Sequence, residues 1–179
     1  IAGAEHTGVH AGKVDLFVNH KVISTPIPTS ADWAVQKLIQ LWQAAKAEVI
    51  CMDVDKHDEV LAHTSHLPHL MAFNLVEQLA NRQDNLDIFR YAAGGFRDFS
   101  RIAASDPQMW HDIFFANKKA ILNAVDGFEA QLQILRKLIQ DEDSHALMGL
   151  LGHAQAARQH FNHMLAKKPL MEKNKVTQQ

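Results

Sequence analysis

Two arginines, two aspartates and two serines crowd the stretch Gly94-Gly95-Phe96-Arg97-Asp98-Phe99-Ser100-Arg101-Ile102-Ala103-Ala104-Ser105-Asp106-Pro107-Gln108-Met109-Trp110. A run built only to pack does not gather so many polar groups beside a paired glycine. A guanidinium fork fits a carboxylate through two parallel hydrogen bonds, so the chemistry on offer is capture of a small carboxylate ligand. Arg97 and Arg101 lie four residues apart and share a face if the segment is helical. Asp98 offers either of them a surface ion pair instead, and the residues alone leave both readings open. The Gly94-Gly95 pair favours ligand capture, because backbone without a Cβ lets a ligand approach closely. Trp110 reads first as core and second as a wall of the pocket.

Histidine is the other candidate. Four of the 12 histidines fall in His57-Asp58-Glu59-Val60-Leu61-Ala62-His63-Thr64-Ser65-His66-Leu67-Pro68-His69. His66 and His69 are spaced to share a metal from neighbouring helical positions. No third ligand stands at metalloprotease spacing, and Pro68 distorts the local geometry, so no metal is expected. The plainer reading is a set of histidines that satisfy hydrogen bonds inside a helical core. A middle reading has one of them donate a hydrogen bond to an anionic ligand. The single cysteine, Cys51, excludes an internal disulfide and fits a reducing compartment. Its apolar neighbours Val49, Ile50 and Met52 predict a buried, inert thiol.

These groups need elements to hold them. Residues 1 to about 12, rich in Gly, Ala and His, read as loop. Leu16-Phe17-Val18 and Lys21-Val22-Ile23-Ser24-Thr25 predict short strands ended by Pro26 and Pro28. Ser30 is placed to cap a helix from about Ala31 to Ala47, with Trp33, Leu38, Leu41 and Trp42 on its apolar face. Glu48 to Met52 predicts a third strand. A long helix is expected from near Lys56 to about Ala80, kinked at Pro68. Short helices follow over 84–91, stopped by Gly94-Gly95, and over 96–104. Asp106-Pro107 is a helix start, with an acid at the cap and proline at the first helical position. Two long helices, about 117–140 and 144–166, are joined by Asp141-Glu142-Asp143 and predict an antiparallel hairpin. Their apolar stripes suit a domain core or a dimer interface.

The fold class is therefore mainly α, a multi-helix domain with a long C-terminal hairpin and a few short strands near the N-terminus. The domain call is 1–166, followed by a basic tail or linker over 167–179. At 179 residues with 47% hydrophobic and 21% charged residues, the chain suits one domain with a sizeable core. A net charge of −2 gives no nucleic-acid footprint. No segment has the length of a membrane span and no signal-peptide pattern opens the chain, so a cytoplasmic location is expected. No glycine-rich phosphate loop follows a strand, so no Rossmann domain is expected in this chain. The first residue is Ile1 rather than Met, which suggests processing or a piece of a longer polypeptide.

Three blocks, in order, resemble the C-terminal helical domain of the prephenate/arogenate (cyclohexadienyl) dehydrogenase family of tyrosine biosynthesis. They are Ile1-Ala2-Gly3-Ala4-Glu5-His6-Thr7-Gly8, then Ser65-His66-Leu67-Pro68-His69, then Gly94 to Ala103 with Ser105 to Trp110. The resemblance implies a substrate-binding and dimerising domain that works with an N-terminal Rossmann domain binding NAD or NADP. It implies oxidative decarboxylation of prephenate or arogenate, with tyrosine as a possible inhibitor. It makes Arg101 the main carboxylate-binding residue and puts His69 in the same pocket. Glu5 and Asp98 would stand near the pocket mouth, and Gly94 and Trp110 would shape it. In the family a His-Pro pair precedes Ile-Ala-Gly, and that histidine takes the hydrogen bond from the substrate hydroxyl; this sequence begins after it. Ala4 stands where the family usually has Thr or Ser, which puts one polar contact in doubt. Alone, the chain is expected to be inactive. The alternative is a stand-alone aromatic-acid or tyrosine-binding module without catalysis. The Lys-rich tail could also lead into a fused partner enzyme.

Overall fold

The computed structural model describes residues 12–83 and 85–166. The loop expected at the N-terminus, Glu5 within it, and the basic tail beyond Ala166 lie outside the described residues. The chain divides into two compact units, one reaching Asp126 and the other starting at Gly127.

The first unit opens with a βαβ element: β1 (Lys21–Ser24), α1 (Asp32–Ala44) and β2 (Glu48–Cys51). The strands run parallel, with Lys21 opposite Glu48 and Ser24 opposite Cys51. A parallel pair needs a crossover, and α1 supplies it. The strand expected at Leu16-Phe17-Val18 is a series of turns instead. Phe17 turns in to meet Trp42 edge to face, with centroids 5.0 Å apart. Asn19, at φ 59°, then swings the chain into β1, a left-handed conformation that asparagine tolerates. Ser30 does not cap α1. Ala31 holds the cap position without a side-chain bond, and Ser30 Oγ accepts from the Ile27 amide at 3.0 Å, closing the Pro-rich turn. Cys51 is exposed at the end of β2, because a two-stranded sheet covers too little to bury it. This corrects the expected buried thiol.

The long helix predicted over 56–80 begins two residues earlier. Asp53 caps α2 (Val54–Leu61), its carboxylate accepting from the amides of Asp55 and Lys56. The disruption at Pro68 takes the form of a π-helical turn over Ala62–His66, followed by α3 (Leu67–Ala80). Pro68 has no amide hydrogen to give. The Leu67 amide reaches back five residues to the Ala62 carbonyl, the spacing that defines a π turn.

Next come α4 (Asn85–Arg90), α5 (Gly94–Ser100) and a 3-10 turn over Arg101–Ala104. The break after α4 falls at residues 91–93, one step earlier than expected, and Gly94 and Gly95 form the first residues of α5. Asp106 and Pro107 start α6 (Pro107–Ala116) as predicted, with the Asp106 carboxylate accepting from the Met109 amide at 3.0 Å. Helix α7 (Lys118–Gln140) follows. The core of this unit joins Ala62, Ile121 and Ala124, with Leu67, Leu70, Phe114, Ala120 and Val125 packed around them. Ala62 is completely buried, so the π turn itself sits at the centre.

The second unit contains the rest of α7, a link over 141–143, and α8 (Ser144–Ala166). Glu142 turns the chain at φ 54°, and Asp143 caps α8 by accepting from the Ala146 amide. Leu132, Ile134, Ile139, Met148, Leu151, Phe161 and Met164 are all 48% exposed or more. Among the described residues no helix is long and apolar enough to cross a membrane.

Candidate functional site

The π turn and α3 of the first unit meet Trp110, a buried residue of α6. Asp106 and Pro107 fix the start of that helix and thereby the indole one turn further on. His69 of α3 lies flat against it, with ring centroids 3.7 Å apart and planes 21° apart. His66 meets the same indole edge-on at 6.2 Å, and Phe114 tilts against it at 5.5 Å. The π turn has a direct consequence here, because it sets the angular position at which α3 begins and so where His66 and His69 point.

The two histidines are held by opposite hydrogen-bonding arrangements. Asn117, just past α6, donates through Nδ2 to the Asp58 carbonyl at 2.8 Å and to His66 Nδ1 at 3.2 Å. His66 Nδ1 is therefore an acceptor, and the neutral ring carries its proton on Nε2. His69 Nδ1 lies 2.8 Å from the Ser65 carbonyl. A carbonyl only accepts, so Nδ1 carries the proton and Nε2 holds the lone pair when the ring is neutral.

Burial pushes the His66 pKa below its ordinary value, helped by the neighbouring His57 and His69; Asp58 pulls the other way. A ring that resists charge suits a structural hydrogen bond, which matches the core reading given to at least one of the four. His57 instead pairs with Asp58 in the middle of α2, at 2.9 Å. Among the described residues no group of three or more His, Cys, Asp or Glu is placed to hold a metal ion.

The α5 helix and the 3-10 turn both pack on α3. This brings the segment carrying Gly94, Asp98 and Arg101 to the helix that carries His69. Arg97 lies in α5 and Arg101 opens the 3-10 turn, and both are exposed. A Cβ built on Gly94 or Gly95 meets nothing within 4 Å. Open space, rather than a glycine-only conformation, marks this end of α5. Glu5 lies outside the described residues, so its place relative to Arg101 is not given.

Two contributors escaped the sequence reading. Asn117 looks like an ordinary residue between two helices, and its link to Asp58 spans 59 positions. The Ser65 carbonyl accepts from His69 Nδ1 four positions on, and Pro68 between them was the available signal. No glycine occurs between Lys13 and Ala93, so neither strand is followed by a phosphate-binding glycine turn.

The fold defines a class: a mainly helical domain preceded by a βαβ element. The chain belongs to the family described as "Prephenate dehydrogenase, dimerization domain", whose model matches residues 53–153. That match opens on Asp53, the cap of α2. The chain is 38% identical over 160 residues to the cyclohexadienyl dehydrogenase of Zymomonas mobilis, covering 88% of this chain and 55% of that one. It is 38% identical over 149 residues to the prephenate dehydrogenase of Bacillus subtilis, covering 82% and 40% respectively. The chain thus spans about half the length of these relatives. Among solved structures, it superposes with TM-score 0.84 and 38% identity on prephenate dehydrogenase from A. aeolicus in complex with hydroxyphenyl propionate and NAD+, covering 90% of this chain and 57% of that one.

Proposed function

We propose that this chain, as a domain over 1–166, forms the substrate-binding and dimerising part of an NAD(P)-dependent prephenate dehydrogenase. The overall reaction is oxidative decarboxylation of a cyclohexadienol carboxylate to a phenol. One observation carries the reading: the Arg101 turn packs on the helix whose His69 lies against Trp110. A cation and an aromatic wall on touching elements suit a small aromatic-like acid. The relative from A. aeolicus, whose complex holds hydroxyphenyl propionate and NAD+, supports the same ligand class.

The roles follow from the chemistry of each group. Arg101 presents the guanidinium fork that a carboxylate needs. Trp110 supplies a flat apolar face for a ring, and His69 adds a polar edge beside it. Gly94 leaves room at the mouth beside Asp98, and Glu5, outside the described residues, keeps the rim role that the resemblance implies. By the resemblance, the hydride acceptor, NAD or NADP, is held mainly by chain outside these residues. The family description names dimerisation, and the exposed apolar residues of α7 and α8 supply a surface that a second copy would cover. The partner is therefore another copy of the same chain.

The test is Arg101→Ala in the full-length protein. The Michaelis constant for prephenate rises at least about tenfold, and the melting temperature of the variant, read alongside, separates a loss of binding from a loss of folding. An unchanged Michaelis constant removes Arg101 from the carboxylate site.

A further inference from the structure

We propose that a cavity lined by α2 and the start of α7 is a second ligand site, one for a basic α-amino acid, and that Asn117 links it to the site around Trp110. The cavity belongs wholly to the first unit and holds about 390 Å³. Asp55, Asp58 and Glu59 of α2 line it, with His63, Asn117 and Lys119. Asn117 is only 9% exposed. Both hydrogens of its Nδ2 are spent, one on the Asp58 carbonyl at 2.8 Å and one on His66 Nδ1 at 3.2 Å. Its Oδ1 accepts from nothing among the described residues. That oxygen is not sealed off, since Trp110 Nε1 is the one fully enclosed side-chain polar atom there without a partner. A nearly buried amide with its donor end spent and its acceptor end open is placed to receive a donor from whatever enters the cavity.

The charges of the lining choose the ligand. Lys119 Nζ and the Asp55 carboxylate form no ion pair among the described residues. Asp58 pairs with His57 and Glu59 with Lys56, each at 2.9 Å. Both side chains of the Lys56–Glu59 pair are 60% exposed, and exposed pairs are weak, so Glu59 can turn to a ligand. Three carboxylates therefore stand against Lys119 and, when protonated, His63. A matching ligand brings one carboxylate for Lys119 and two ammonium groups for Asp55, Glu59 and the Asn117 oxygen. A basic α-amino acid carries that set in a body small enough for the cavity. The link to the other site is the same amide. A donor on Oδ1 holds Asn117, Asn117 holds His66, and His66 meets Trp110 edge-on. Occupation thus favours the arrangement in which His69 and Trp110 stack.

Isothermal titration of the full-length protein at neutral pH tests the site, with L-lysine as the probe. Norleucine, which lacks the second ammonium, and cadaverine, which lacks the carboxylate, are the comparisons. L-lysine is expected to bind with a Kd near or below about 1 mM. Each comparison binds at least about tenfold more weakly, the effect of one lost hydrogen bond between charged groups. Asp55→Asn and Lys119→Met each weaken L-lysine to a similar degree. Both positions are exposed, in the first turns of their helices, and circular dichroism checks that the variants keep the fold. No binding of L-lysine overturns the site. Cadaverine binding as tightly as L-lysine overturns the amino-acid class. Binding that survives both variants lies elsewhere and also overturns the proposal. The link to Trp110 rests on the dehydrogenase reading and is tested by kinetics. Saturating L-lysine lowers the KM for prephenate about fivefold, the low end of coupling between sites, and does not do so in Lys119→Met. An unchanged or raised KM in the wild type overturns the link. A wild type that oxidises no prephenate even without L-lysine removes the dehydrogenase reading instead, and the titration still decides the site.

Discussion

The imidazole of His69 lies parallel to the Trp110 indole, with 3.7 Å between centroids and 21° between planes. The two residues come from helices that start under separate controls, a π turn for α3 and an Asp-Pro cap for α6. Their stacking therefore reports that both helices are seated correctly. The same contact gives the indole a double duty, as wall of the candidate site and as packing for the first unit.

That duty predicts a graded response to substitution. Trp110→Ala removes a buried ring and costs about 3–5 kcal/mol, the usual range for deleting a core aromatic. Trp110→Phe costs much less. It keeps an aromatic face for His69 and deletes a buried indole N–H that finds no acceptor among the described residues. A buried donor without a partner is itself destabilising. Urea unfolding of both variants measures the difference, and equal losses would show that the indole N–H is satisfied by a group unaccounted for here.

Asn117 ties α6 to α2 and to the π turn with a single amide group. Asn117→Ala leaves the Asp58 carbonyl and His66 Nδ1 without their donor in a buried place. The expected loss is about 1–3 kcal/mol. A double-mutant cycle with His66→Ala isolates the share that belongs to the histidine. A coupling near zero would mean that only the Asp58 bond matters.

Much of this architecture was legible in the sequence because it depends on local chemistry. Asp106-Pro107 announced α6 through a cap and a fixed φ, and the apolar spacing gave α7 and α8 nearly to the residue. The errors also have local causes. Leu16-Phe17-Val18 has the composition of a strand, but Phe17 gains more by packing on Trp42. Ser30 sits one position before the actual cap and bonds to the turn behind it. Cys51 has apolar neighbours yet ends the edge of a sheet too small to bury it. The site was legible only in part. His69 and Trp110 were each named, but nothing local says that residues 41 positions apart stack. Asn117 acts entirely through contacts distant in sequence, which spacing does not reveal.

Stability should depend on pH through His66. Its folded-state pKa lies below the ordinary 6.5, chiefly because burial penalises the charged ring. The unfolded chain therefore binds a proton that the folded protein resists. Above the unfolded value neither state is protonated and the full stability is present. As pH drops below about 6.5 the unfolded state gains protons first, and stability falls until the folded ring also protonates. His66→Gln cannot titrate and flattens this part of the profile. Chemical denaturation at pH 7.5 and pH 5.5 checks it: the wild type loses more stability between the two than the variant does. An equal loss would assign the slope to other groups.

The apolar residues of the second unit make the last prediction. Ile139 is 63% exposed and Met148 is 67% exposed. Large side chains left in water at this level are costly unless something covers them, and the family description names dimerisation. Ile139→Asp and Met148→Asp should each weaken the dimer at least about thirtyfold, since a charge in the centre of an interface removes a packed anchor and must be desolvated. Sedimentation over a range of concentrations reads the change directly. The helices themselves should persist, because neither residue is buried within its own chain, and the circular dichroism of the dilute variants should match the wild type. A dimer that survives both substitutions would move the interface to another face of the protein.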